Sequence, residues 1–124
     1  MHIALKIALG IPALLFAFVG LGWLTDPAST APTFGMPLLE GAGLSTQVGD
    51  LSSFFFSLSA MLLIGIFSQQ KAWFQAAAML LLLTAVFRTV AWAVHGASFE
   101  TQSIAIEVIV GILALVAASK ASMR

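Results

Sequence analysis

Arg88 stands in the apolar run TAVFRTVAWAVHG and Glu107 in IAIEVIVGILAL, so each sets one charge among neighbours that are nearly all hydrocarbon. A charge near the middle of a membrane helix costs about 2.5–3.5 kcal/mol on insertion scales, so such residues turn inward and pair. A guanidinium facing a carboxylate in that setting can form an interhelical salt bridge, anchor the polar head of a ligand, or belong to a proton or ion path. The residue types leave all three open. Asp50, at the start of GDLSSFFFSLSAMLLIG, supplies a second carboxylate. It either completes the network or caps the helix that follows, where its charge favours the positive dipole end.

Other chemistries find less support. His95 precedes Gly96 and reads either as a helix-end residue favoured by the local dipole or as a base at the mouth of the site. Ser53 and Ser57 can bond to their own helix carbonyls or to a ligand; as nucleophiles they lack a base, and no G-x-S-x-G occurs. The absence of cysteine excludes a disulfide framework and thiolate chemistry, and the two histidines, His2 and His95, are too far apart for a metal site. No residue is assigned as catalytic or metal-binding. The candidate ligand-binding set is Asp50, Arg88, Glu107, Trp92, His95, Ser53 and Ser57, with no cofactor indicated.

The elements that must carry these residues are hydrophobic segments. Of the 124 residues 60% are hydrophobic and 8% charged, against about 25% charged in soluble domains, so the composition is that of a membrane protein. Five basic and five acidic residues give zero formal net charge, which argues against nucleic acid as a partner. Four segments approach the roughly 20 residues that span a hydrocarbon core: residues 7–24, 51–67, 73–94 and 103–119. They predict a single all-α domain over residues 1–124, an integral membrane antiparallel four-helix bundle. The first segment is too long for a signal-peptide core, which favours its retention as a span.

Basic residues set the expected orientation. Lys6, Lys71, Lys120 and Arg124 flank the segments on one side, whereas Asp26, Glu40 and Glu100 lie on the other, which places both termini in the cytoplasm. Trp23 and Trp92 then fall near the outer interface and Trp73 near the inner one. Two connections are short and force antiparallel neighbours, while the outer stretch 25–50 is long. Pro27, Pro32 and Pro37 with Gly35, Gly41 and Gly43 argue against a long regular helix there, leaving an extracytoplasmic linker or lid in which MPLLEGAG makes at most one interfacial turn.

Helical spacing tests convergence. Thr84, Arg88, Trp92 and His95 share one face of the third segment, leading to the outer surface. Ser103, Glu107, Gly111, Ala114 and Ala118 make a small-residue stripe on the fourth, the pattern that lets membrane helices approach closely. At 1.5 Å per residue Arg88 lies roughly 9 Å, and Glu107 roughly 6 Å, below the outer end of its segment. Gln47, Asp50, Ser53 and Ser57 fall on one side of the second segment, and Phe54, Phe55 and Phe56 wrap it.

With the acidic start GDLSSFFFSLSAMLLIG, the arginine of VFRTVAWAVHG and the glutamate of IAIEVIVGILAL in place, nearly the whole chain resembles the domain-of-unknown-function 4345 proteins, small bacterial four-helix membrane proteins, and more loosely the DoxX-like proteins. The resemblance implies a multi-pass fold in a bacterial cytoplasmic membrane and no defined reaction. Where that pattern often has a basic residue after the acidic start, Ser52, Ser53 and Phe54 to Phe56 stand here. The expectation is a non-catalytic module that binds a small amphipathic ligand or lipid in an outward-facing polar pocket, or serves as accessory subunit of a larger membrane complex. A small enzyme using Glu107 or Asp50 as acid or base is the alternative, and an oligomeric transporter ranks third because no inverted repeat is present. Partners implied are membrane lipids, a larger membrane complex or further copies of the chain.

Overall fold

The computed structural model describes residues 1–121, so Arg124, counted above among the orienting basic residues, lies outside the described residues. The chain is all-α: α1 (Ile3–Thr25), α2 (Pro27–Thr33), α3 (Gly41–Ser68), α4 (Lys71–His95) and α5 (Thr101–Lys120). Four of these, α1, α3, α4 and α5, are long and apolar enough to cross a membrane. Within their most apolar windows only 22–39% of residues are buried by the protein itself, so most of the hydrocarbon surface faces outward. Phe18, Phe67 and Val94 are 73%, 83% and 68% exposed. In water that surface would oppose the fold; in a bilayer it is solvated by lipid. The chain is a multi-pass membrane protein on these grounds.

The stretch 25–50 differs from the expected linker. α2 occupies 27–33, and α3 begins at Gly41, ten residues before its apolar run. The prolines and glycines still prevent one continuous helix, because they break the stretch at two points rather than throughout. Asp26 caps α2, its Oδ1 accepting from the Ser29 N–H at 3.4 Å, and Pro27 takes the first helical position, where a missing N–H costs nothing. Gly35 and Gly41 both have positive φ and turn the chain out of α2 and into α3. Residues 36–40 between them are non-helical, so the expected interfacial turn in MPLLEGAG starts only at its glycines. At 28 residues α3 is roughly 42 Å long, about 12 Å more than a hydrocarbon core.

The chain divides into two compact units, residues 11–60 and residues 1–10 with 61 onward. In the first, Ala13, Phe16, Trp23, Ala31 and Leu58 are buried. Phe55 joins three aromatic contacts, with Phe16, Phe34 and Phe54 at 6.1, 5.6 and 5.2 Å between centroids. Trp23, two residues before the end of α1, is fully buried, with its ring centroid 5.6 Å from that of Phe34. The helical turns of α2 supply the cover that an open linker would not.

In the second unit α3 hands over to α4 through Gln69 and Gln70, and the Cβ that Gly65 lacks would lie 2.9 Å from the ring of fully buried Phe74. α4 and α5 form an antiparallel hairpin, since Leu82 meets Gly111 while Arg88 meets Glu107 further toward the opposite ends. α4 buries Phe74, Ala77, Ala78, Leu81 and Ala85, and α5 buries Glu107, Val110, Gly111, Ala114, Ala117 and Ala118. Small residues let the two backbones approach, which in lipid is the main source of helix–helix packing. Gly96, in the left-handed region at φ 74°, terminates α4 before the connection to α5.

Candidate functional site

The α4–α5 hairpin places Arg88 and Glu107 opposite one another. Arg88 Nε donates to Glu107 Oε2 at 3.0 Å, the only salt bridge among the described residues. Glu107 belongs to the buried stripe of α5, with its side chain 10% exposed, whereas the Arg88 side chain is 35% exposed. The contact has a single point. Among the described residues the two terminal nitrogens of Arg88 have no hydrogen-bond partner, and Glu107 Oε1 is buried without one. A guanidinium offers five N–H donors in a planar fork and typically grips a carboxylate through two of them. Here the outer part of the fork is left over.

Why the fork is accessible follows from α4. Its inward face is closed from Phe74 to Ala85, but the next positions on that face are Arg88 and Trp92, and Trp92 is 49% exposed. The hairpin core therefore ends at the ion pair, and above it the same face opens. Trp92 stands against Phe99 of the α4–α5 connection, edge to face at 5.1 Å between centroids, with Phe99 45% exposed. Trp92 lies one turn beyond Arg88 on that face, so the two rings put apolar surface at this end of the hairpin. Thr84 and Thr89 take no part, since their hydroxyls donate to the carbonyls of Leu80 and Ala85 one turn back.

The remaining candidates fall elsewhere. His95 is exposed in the last turn of α4, where the helix dipole favours a cation, and its side chain has no hydrogen bond among the described residues. Asp50 lies nine residues inside α3, which overturns the N-cap reading: the helix starts at Gly41 and the capping position is gone. Its side chain is exposed and lines an open groove of about 600 Å³ with Met36, Leu39, Thr46 and Gln47. Asp50 and the Arg88–Glu107 pair belong to different compact units. Ser53 and Ser57 are exposed on α3, and the Ser53 hydroxyl donates to the Asp50 carbonyl three residues back at 3.2 Å.

Gln47 has a part that sequence reasoning did not assign. It is buried, its Oε1 accepts from the Leu39 N–H at 2.9 Å, and its Nε2 donates to the Pro37 carbonyl at 3.0 Å. It thus pins the 36–40 connector onto α3. The sequence signal was a lone amide in a Gly-rich stretch, readable only once that stretch is known to be helical. Trp73 also acquires a partner, its Nε1 donating to Gln70 Oε1 at 3.2 Å at the start of α4.

Chemically the Arg88 site can donate hydrogen bonds to an acceptor and offer aromatic surface beside it. Its carboxylate is already engaged by the arginine and largely buried, which does not suit it to act as a free base. Among the described residues no three of His, Cys, Asp and Glu gather as a metal would require. No family model, curated protein or solved structure matches the chain.

Proposed function

We propose that this protein is a non-catalytic membrane module that holds the polar head of a small amphipathic molecule at Arg88, with Trp92 and Phe99 against its apolar part. The observation that carries the reading is the single-point ion pair: Arg88 is tied to Glu107 through Nε alone and keeps its outer donors at a partly exposed position. In hydrocarbon an unmatched donor is costly, so an occupant that accepts from it is favoured. In this reading the chain sits in a bacterial cytoplasmic membrane with both termini inside, as the small four-helix proteins it resembles suggest and as the basic residues favour. Membrane lipids are its immediate partners, and the open apolar faces also suit an accessory subunit or further copies of the chain.

Gentle extraction followed by native mass spectrometry tests this reading. The wild-type protein is expected to carry a bound amphiphile that an Arg88→Met, Glu107→Leu double variant of unchanged helicity has lost. Identical adducts on both proteins would contradict it.

A further inference from the structure

Building on the ligand-binding reading above, we infer that the head group held by Arg88 is an uncharged carbonyl acceptor, as in an ester, ketone or quinone, and not an anion. The first ground is charge. Arg88 is already neutralised by a carboxylate 3.0 Å away, and the other ionisable groups at this end of the hairpin are His95 and the acidic Glu100. No second cation is supplied by α5 before Lys120 in its last turn. An arriving phosphate or carboxylate would therefore add negative charge beside Glu107 with only His95, two turns beyond Arg88 on α4, to offset it. A carbonyl adds none, yet still accepts from N–H groups that carry part of the guanidinium charge.

The second ground is geometry. Because Nε is taken by Glu107 Oε2, the donors left over are the four terminal N–H groups, which can bond an acceptor that carries no charge of its own. Trp92 stands one turn beyond Arg88 on the same face of α4 and packs edge to face on Phe99, and both are about half exposed, so this end of the hairpin offers apolar surface. An acyl chain or a flat ring satisfies such a surface, and a hydrated anionic head does not. One charge-assisted hydrogen bond that is gained without a net charge corresponds to about tenfold in affinity.

The test uses the full chain in nanodiscs of ether-linked lipid, so that the bilayer itself supplies no carbonyl. Three probes share one chain length: tetradecane, a tetradecyl methyl ketone and tetradecyl phosphate; a diacylglycerol and a quinone are then competed against the ketone. Retention of the ketone about tenfold above the alkane, lost in the Arg88→Met, Glu107→Leu double variant, with phosphate no better than alkane, is the expected result. Competition by diacylglycerol assigns the carbonyl to a membrane lipid ester, and competition by quinone alone assigns it to a ring carbonyl; each outcome supports the inference. Arg88-dependent retention of phosphate at or above the ketone overturns it while leaving the ligand-binding reading intact. If no probe depends on Arg88, the ligand-binding reading itself fails. Glu107→Gln supplies an independent check, because freeing the arginine charge should turn the preference toward phosphate, and an unchanged preference overturns the charge argument.

Discussion

Arg88 and Glu107 are each expensive in a membrane and affordable only together. Removing one partner of a buried pair leaves the other uncompensated, typically at 3–5 kcal/mol, whereas replacing both by apolar residues is often close to neutral. With Arg88 partly exposed the single-variant cost should be lower, and we expect Arg88→Met or Glu107→Leu each to lower the unfolding free energy by about 2–3 kcal/mol, with the double variant within about 1 kcal/mol of wild type. Denaturant titration in micelles measures all three. Additive losses in the double variant would show that the two side chains act separately. That these two residues would meet was legible in the sequence, because each is the one charge in an apolar segment and both lie near the same end. That they meet through one nitrogen was not, since it depends on side-chain rotamers that residue spacing does not fix.

At the scale of the helices, contact distance is set by glycines. The Cβ of an alanine at position 65 would come within 2.9–3.0 Å of the Phe74 ring, which is fully buried and has nowhere to move. At position 111 it would approach the side chain of half-buried Leu82 at 2.8 Å, which can change rotamer. Gly65→Ala should therefore destabilise by about 1–3 kcal/mol and Gly111→Ala by less, a ranking that thermal unfolding of the two variants in the same detergent will check. The small-residue stripe around Glu107 announced the α4–α5 hairpin because its spacing repeats at the helical period. GAGLSTQVGD gave no such signal: it is polar and Gly-rich, and its helix depends on continuity with the apolar run beyond it and on Gln47 gripping the connector. The burial of Trp23 was hidden for the same reason, since the short helix α2 that leads into its partner Phe34 is a Pro-, Ser- and Thr-rich segment with only two alanines.

Across the whole molecule, four spans and asymmetric basic residues favour the proposed orientation. The chain has no cysteine, so single cysteines introduced one at a time report sidedness without background. Residues at the Gln69–Gln70 turn between α3 and α4 should react with a membrane-impermeant thiol reagent only after the membrane is opened, and residues at Thr33 and Ser98 should react in intact cells. The opposite pattern would invert the topology and place the Arg88 site at the inner surface. Length and hydropathy made the four spans plain from the sequence alone; the division into two compact units was not, because α1 and α3 each run unbroken through both, and Gly10 and Pro12 at the boundary in α1 do not end the helix.

The central claim is that the outer nitrogens of Arg88 are left for a guest while Nε holds Glu107. Nuclear magnetic resonance on protein carrying guanidino-¹⁵N arginine, with Arg124→Lys so that Arg88 is the sole arginine, addresses it directly. A contact from Nε to the Glu107 carboxyl carbon and contacts from the terminal nitrogens to a ¹³C-carbonyl amphiphile are expected. Terminal nitrogens that contact only the Glu107 carboxyl, with no amphiphile signal at any of the three, would mean a closed salt bridge and contradict it.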